Sequence, residues 1–121
     1  MPLTVLAIED DPEVLAIIRA HLAGAGYRVL GAAGGEAGLE LARTQQVDLI
    51  TLDLLMSPVD GQDVLHRLRA DAVTLHIPVV LVTVVDEVTT EMAADGYVSK
   101  PFLGRRLLAE VSRLMPVVTD S

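Results

Sequence analysis

The chain has 121 residues, no cysteine, and 17 acidic against 9 basic side chains, which gives a formal net charge of −8. A chain of this length forms one domain with its own hydrophobic core, and the lack of cysteine excludes disulfides, thiolate catalysis and cysteine-ligated zinc. The acidic surplus argues against a surface for nucleic acid phosphates, so we expect no direct nucleic acid binding. The N-terminus does not resemble a signal peptide and no apolar run approaches the roughly 20 residues of a membrane span, so we expect a cytoplasmic protein without membrane contact.

Short apolar runs alternate with segments of helical periodicity along the chain. The apolar runs predict strands at residues 3–8, 27–30, 47–52, 77–82 and 97–99. The other segments predict helices at residues 12–24, at 36–43, around Val64, Leu65 and Leu68, weakly at 86–94, and at 103–114. We expect residues 1–115 to form the domain and residues 116–121 to form a C-terminal tail.

Strands that alternate with helices predict an α/β fold, here a single five-stranded parallel sheet with helices on both faces. The nearly all-apolar strands fit such a sheet, because helices cover both of its faces. Ligands of open parallel sheets bind outside the carboxyl ends of the strands. The residues that directly follow each strand are therefore the candidates for function.

Polar side chains follow four of the five predicted strands. Glu9 and Asp10 follow the first strand, Asp53 the third, Thr83 the fourth and Lys100 the fifth. Carboxylates that cluster repel one another, so their proximity favours a bound cation, and oxygen ligands suit Mg²⁺. Lys100 is the only lysine in the chain, and an ammonium beside an aspartate can attract an anion.

Each of these residues also has an ordinary structural explanation. A single Asp53 would fit a turn, a single Thr83 the end of a strand, and a single Lys100 the protein surface. Asp11 is most simply the cap of the first helix, because Pro12 follows it. The joint placement of the other residues at one edge of the sheet favours a functional site. The glycines do not form a dinucleotide fingerprint, so we expect no nucleotide cofactor.

The strand-end residues belong to motifs that together span most of the chain. These motifs are Ile8-Glu9-Asp10-Asp11-Pro12, Asp53-Leu54-Leu55-Met56 with Asp60-Gly61, Thr83, and Tyr97-Val98-Ser99-Lys100-Pro101-Phe102. In this order they resemble the response-regulator receiver domain of two-component signalling, of the chemotaxis-regulator type. The resemblance implies the strand order 2-1-3-4-5 and a switch that is controlled by phosphorylation.

The resemblance also implies a role for each acidic residue. Asp53 would be the phosphoacceptor. Glu9, Asp10 and Asp53 would hold Mg²⁺ together with the backbone carbonyl of Leu55. Transfer of a phosphoryl group depends mostly on positioning and on neutralising its charge, which this set of groups could provide.

The remaining motif residues would complete a switch. Thr83 and Lys100 would contact the phosphoryl oxygens, and Thr83 and Tyr97 would change position on phosphorylation. The protein would then be a phosphoacceptor that assists its own phosphorylation and dephosphorylation, and not an enzyme acting on a separate substrate. Its partners would be a histidine kinase or histidine phosphotransfer protein and an effector protein that the sequence does not identify. Association of two copies of the chain into a homodimer is a further alternative.

The sequence departs from the family at several positions. Glu9 stands where the family commonly has aspartate, and we expect the longer side chain still to reach the cation. Val84 replaces the usual alanine or glycine and could crowd the phosphoryl pocket. Leu55 and Val85 are apolar as well, so we expect slow autodephosphorylation. The segment between the fourth and fifth strands is shorter than usual, which predicts a short or remodelled fourth helix.

Two other functions remain open at this point. A degenerate receiver would bind proteins without phosphorylation, an alternative that rests on Val84 and the short fourth segment. A small phosphatase would use Asp53 as its nucleophile, but position 55 is a leucine and offers no general acid. The chain either signals by itself through protein contacts or is part of a larger protein.

Overall fold

The computed structural model describes residues 2–84 and 93–116. The strands are β1 (Thr4–Ile8), β2 (Arg28–Ala32), β3 (Leu49–Leu52), β4 (Val79–Thr83) and β5 (Gly96–Ser99). The helices in the described residues are α1 (Pro12–Gly24), α2 (Gly35–Thr44), α3 (Gly61–Ala70) and α4 (Gly104–Leu114). The predicted weak helix at 86–94, and with it the remodelled fourth helix, falls mainly on residues 85–92, which lie outside the described ranges, as do residues 117–121 of the predicted tail.

All five strands are parallel and form one sheet in the order β2-β1-β3-β4-β5. Helices α2 and α3 pack on one face and α1 and α4 on the other, so the sheet separates two hydrophobic clusters. The residues of the three central strands β1, β3 and β4 are all buried because both faces are covered, which explains their nearly continuous apolar sequence. The predicted α/β fold and strand order are confirmed.

Local signals in the sequence set several helix ends. The Asp11 side chain accepts hydrogen bonds from the amides of Glu13 (2.9 Å) and Val14 (3.4 Å), and Pro12 occupies the first turn of α1. The Asp60 carboxylate caps α3 in the same way through the amide of Asp63, at 2.8 Å. These caps satisfy amides that have no partner inside the helix.

Strand β4 begins two residues later than the sequence pattern predicts. The amide of Ile77 donates to the carbonyl of Thr74 at 3.0 Å, and the carbonyl of Ile77 accepts from Arg69 at 2.8 Å. Because its amide is engaged in the preceding turn and its carbonyl is bound by the side chain of Arg69 in α3, Ile77 does not join the sheet. The apolar pattern alone could not distinguish this buried turn residue from a strand residue.

Among the described residues, no helix combines the length and the hydropathy that a membrane crossing requires.

Candidate functional site

The two central strands bring two acidic residues to the carboxyl edge of the sheet. Ile8 of β1 pairs with Leu52 of β3, so the residues that follow them, Glu9 and Asp53, leave the sheet side by side. The amide of Asp53 donates to the carbonyl of Ile8 at 3.2 Å. Both acids are buried, with 1% of Glu9 and 5% of Asp53 exposed. Buried acids at the ends of adjacent strands are unusual for a purely structural role.

A third acid completes the cluster. Oxygen atoms of Glu9, Asp10 and Asp53 all lie within 4.8 Å of one another, and Asp10 is exposed. The backbone holds the two buried carboxylates in place. The amide of Asp11 donates to Glu9 Oε2 at 3.2 Å, and the amide of Leu55 donates to Asp53 Oδ1 at 3.1 Å.

Lys100 enters the cluster from the last strand. Its amide donates to the carbonyl of Thr83 at 2.9 Å, which extends the pairing of β4 and β5 by one residue. Its Nζ atom contacts Glu9 Oε1 and lies 3.0 Å from Asp53 Oδ2. One ammonium group therefore bridges the two buried carboxylates.

Burial and pairing act on these charges in opposite directions. Burial raises the pKa of Glu9 above its ordinary value of 4.5, although hydrogen bonds from Lys100 and from the amide of Asp11 oppose the shift. Burial also disfavours the charge of Lys100, but its hydrogen bonds to Glu9 and Asp53 outweigh this effect and raise the pKa of the ammonium above 10.5. Lys100 is therefore a cation at neutral pH.

The acidic residues fit a hard divalent cation. Three carboxylates converge, one of them accessible to solvent, and Mg²⁺ prefers a few carboxylate oxygens and keeps several waters. The backbone of Leu55 lies at this site through its amide contact with Asp53. The role expected for the Leu55 carbonyl stays a prediction.

The two expected switch residues lie on one face of the sheet. Leu81 pairs with Tyr97 across β4 and β5, and Tyr97 packs against the cluster under α2 and α3. Thr83 is fully buried and, two residues after Leu81, faces the same side. Their role as a switch stays a prediction.

Val84 and Leu55 both present apolar surface to solvent. Val84 directly follows β4 and is 54% exposed, and Leu55 is 57% exposed. The expectation that Val84 crowds the phosphoryl pocket stays a prediction. Val85 lies outside the described residues.

Two residues make contacts that the sequence pattern does not indicate, one beside Asp53 and the other near the start of β5. Gly61 is packed against the backbone of residues 53 and 54, and its only sequence signal is its place in the Asp60-Gly61 motif. Glu110 of α4 accepts a hydrogen bond from the amide of Tyr97 at 3.1 Å. No local pattern indicates this second contact, because the two residues meet only in the tertiary structure.

Curated relatives match nearly the whole chain. The transcriptional regulator RpaA of Synechocystis sp. is 39% identical over 116 residues, which is 92% of this chain and 48% of the relative. The regulatory protein PhoP of Bacillus subtilis is 32% identical, again over 92% of this chain and 48% of the relative. The chain thus spans about half the length of these relatives.

Solved structures share the fold. Chemotaxis response regulator CheY4 of Vibrio cholerae superimposes with a TM-score of 0.89 at 25% identity, over 95% of this chain and 100% of that one. The receiver domain of sensor histidine kinase PA1611 from Pseudomonas aeruginosa gives a TM-score of 0.87 at 25% identity, over 94% and 98% of the two chains. The latter structure contains a magnesium ion coordinated in its active site cleft.

The expectation of no nucleic acid partner is wrong. RpaA is named as a DNA-binding regulator, and the relatives AfsQ1 and PhoP are also named as transcriptional regulators. The expectation rested on the net charge of 121 residues, which match only about half of each relative. Because the charge of one domain says nothing about surfaces outside it, acidic composition here could not exclude nucleic acid from the function.

A family profile agrees with these relatives. The response regulator receiver domain profile matches residues 5–112, a range that runs from the second residue of β1 through most of α4. The match covers the acidic residues, Thr83 and Lys100 together. The chain belongs to the response regulator receiver domain family of two-component systems.

Proposed function

We propose that the protein is a phosphorylatable receiver in which Asp53 accepts a phosphoryl group in the presence of Mg²⁺. One observation carries the proposal. One oxygen of the buried Asp53 carboxylate accepts a hydrogen bond from the amide of Leu55, the other accepts one from Lys100, and Glu9 and Asp10 lie next to it. The domain would consist of residues 1–115, followed by the tail at 116–121.

The chemistry follows from this arrangement. An oxygen of Asp53 forms a bond to phosphorus as the bond between phosphorus and the donor atom breaks, and the donor leaves with the electron pair. Lys100 offsets negative charge on the phosphoryl oxygens, and Thr83 offers a hydroxyl to them. When bound by Glu9, Asp10, Asp53 and the carbonyl of Leu55, Mg²⁺ supplies further positive charge. The product is an acyl phosphate on Asp53.

The proposed donors are a histidine kinase or a histidine phosphotransfer protein. The proposed response is a movement of Thr83 and Tyr97 that alters the surface near β5 and is read by an effector. Transcriptional control is the output best supported by the relatives, because RpaA, AfsQ1 and PhoP carry regulator names of that kind.

The test is intact-protein mass spectrometry after incubation with acetyl phosphate and Mg²⁺. We expect one phosphoryl adduct, lost with EDTA or with Asp53→Asn. Asp63→Asn serves as the matched control, because Asp63 lies on α3 and pairs with Arg67 outside the site. An adduct that persists in Asp53→Asn would contradict the assignment.

The alternative of a degenerate receiver makes a different prediction. It requires that Mg²⁺ binds and that no adduct forms under the same conditions. In that case the protein would be a phosphorylation-independent binding module, and the proposal for Asp53 would be rejected.

A further inference from the structure

The outer edge of β2 carries backbone groups that have no partner among the described residues. β2 stands at the end of the sheet and has a neighbouring strand on one side only. The amide of Arg28 donates to the carbonyl of Leu3 at 2.9 Å, so Arg28 turns its backbone groups toward β1. Because these groups alternate in direction along a strand, Val29 and Gly31 turn their amides and carbonyls outward, where they meet no other described group.

The opposite edge, at β5, is covered by side chains of α4. The amide of Tyr97 donates to Glu110 Oε2 at 3.1 Å, and the carbonyl of Tyr97 accepts from Arg106 at 3.1 Å. The carbonyl of Asp95, just before the strand, accepts from Arg113 at 3.3 Å. A new strand could pair with Tyr97 only by displacing these side chains. Of the two edges, β2 is therefore the one that a strand could join without breaking a contact between described residues.

Two exposed arginines flank the edge of β2. Arg19 of α1 rests on Gly31, because a Cβ atom at Gly31 would collide with its guanidinium group. Val29 packs in the cluster under α1 and α4, whereas Leu30 packs in the cluster under α2 and α3. Since side chains alternate along a strand, Arg28 belongs to the face opposite that of Val29 and Gly31. Neither arginine forms an ion pair with another described residue.

We propose that the β2 edge docks an extended, acidic segment of a partner protein, which joins the sheet as a further strand. Val29 and Gly31 each provide one backbone donor and one acceptor for this strand. Carboxylates of the segment pair with Arg19 on one face and with Arg28 on the other. In contacts of this kind the main-chain hydrogen bonds give affinity and the side chains select the partner. The inference goes beyond phosphorylation and does not depend on Asp53.

A second copy of the chain fits this edge less well than an acidic segment. Pairing of two β2 strands would bring the arginines of both copies to one interface, and like charges across an interface oppose association. Each copy also carries a net charge of −8, which adds to the repulsion. The same net charge repels an acidic segment from the rest of the surface, so its attraction depends on Arg19 and Arg28.

NMR titration of ¹⁵N-labelled protein tests the proposal. The probe is an acetylated and amidated hexapeptide, Glu-Val-Glu-Glu-Val-Glu, which places glutamates on both faces of an extended strand. We expect saturable shifts at the amides of Val29 and Gly31 and none at the amide of Tyr97. Absence of saturable shifts at Val29 and Gly31 with the peptide at millimolar concentration would overturn the inference.

Arginine variants test the choice of an acidic partner. We expect the Kd of the peptide to rise about threefold in Arg19→Met and in Arg28→Met, a change in the range of an exposed ion pair. Arg105→Met is the matched control and should bind as the wild type does, because Arg105 is also exposed but lies on α4, beside the other edge. An unchanged Kd in the variants at Arg19 and Arg28, or equal binding of a peptide with lysine in place of glutamate, would overturn the acidic partner.

A modified peptide tests strand addition without any protein variant. The same hexapeptide with a methyl group on every backbone amide cannot donate hydrogen bonds, and we expect it not to bind. Binding as tight as that of the parent peptide would overturn pairing at the edge.

Sedimentation velocity of the protein alone tests the second copy. A dimer whose formation shifts the amides of Val29 and Gly31 would assign the edge to self-association and overturn the acidic partner, whereas a monomer supports it. Failure of the peptide experiments leaves the proposal for Asp53 intact, because the phosphoryl adduct is measured without any peptide.

Discussion

Gly61 lies directly against the main chain of Asp53. A Cβ atom at Gly61 would stand 2.2 Å from the carbonyl oxygen of Asp53 and 2.4 Å from the Cα of Leu54. The amide of Gly61 also donates to the carbonyl of Leu54 at 3.0 Å. The first residue of α3 therefore sets the position of the loop that carries the proposed phosphoacceptor.

Gly61→Ala should disturb both folding and the site. Because the colliding atoms are backbone atoms, the loop must shift, and we expect a loss of about 1–3 kcal/mol in the free energy of unfolding. We also expect a lower yield of the phosphoryl adduct, measured by mass spectrometry. Gly24→Ala is the control, because nothing lies within 4 Å of its added methyl group. Equal adduct yields in the two variants would contradict this prediction.

Thr51 and Thr74 form a matched pair of buried hydroxyls. Within the described part of the chain, Thr51 Oγ1 has no hydrogen-bond partner, whereas Thr74 Oγ1 donates to the carbonyl of Leu68 at 2.7 Å. We expect Thr51→Val to raise the free energy of unfolding by about 1 kcal/mol and Thr74→Val to lower it by about 1–3 kcal/mol. Urea denaturation measures both, and a stability loss in Thr51→Val would show that its hydroxyl is satisfied in solution.

Arg69 forms hydrogen bonds with several segments at the amino ends of β4 and β5, away from the acidic cluster. Its guanidinium donates to the carbonyls of Leu75 (3.0 Å), Ile77 (2.8 Å) and Ala93 (3.0 Å) and to the carboxylate of Asp95 (2.7 Å). The same Asp95 oxygen accepts from the amide of Val79 at 2.8 Å. Arg69 thus joins the turn after α3 to the starts of β4 and β5.

Arg69→Met should lower the free energy of unfolding by about 2 kcal/mol or more, because several acceptors lose a charged donor. Arg67→Met is the control. Arg67 pairs with Glu36 and Asp63, but its side chain is 46% exposed, and such surface ion pairs contribute less than about 1 kcal/mol. Chemical denaturation of both variants decides the point, since similar losses would rule out a special role for Arg69.

Glu110 links stability to pH. The hydrogen bond from Arg113, at 2.7 Å, lowers the pKa of Glu110 below its ordinary value of 4.5, against the opposing effect of burial. A lowered folded-state pKa means that the stabilisation is fully present above the unfolded-state value and is lost as the pH falls through the folded-state value. We expect wild type to lose more stability than Glu110→Gln on acidification below pH 4.5.

Thermal unfolding across that pH range is the measurement for Glu110. Glu40→Gln, a change at an exposed glutamate of α2, should follow the wild-type profile. Parallel profiles for wild type and Glu110→Gln would remove the proposed linkage.

The apolar side chain of Leu55, next to Asp53, predicts a long-lived phosphoryl group. Leu55 cannot orient water for attack on the acyl phosphate, so Leu55→Asn should shorten the lifetime of the adduct several-fold. The comparison is Val73→Asn, an exposed apolar residue on the turn after α3. Decay of the adduct, followed by mass spectrometry after removal of the donor, tests this. A wild-type lifetime of seconds would contradict the prediction.

Much of the site was predictable because it lies at strand ends. Hydrophobic runs located the strands, and parallel strands present their carboxyl ends at one edge, so Glu9, Asp53 and Lys100 were expected to meet there. The expectation of no nucleic acid partner was wrong for a different reason. The net charge describes only the residues from which it is counted, so it could not exclude nucleic acid from the function.

The sequence by itself determined the α/β class, the cap at Asp11 and the set of acids at the sheet edge, because these depend on periodicity and on neighbours along the chain. Only the tertiary structure decided that Lys100 bridges Glu9 and Asp53, and that Glu110 reaches Tyr97. Those contacts join residues far apart in sequence. They depend on strand register and helix packing, which no local pattern encodes.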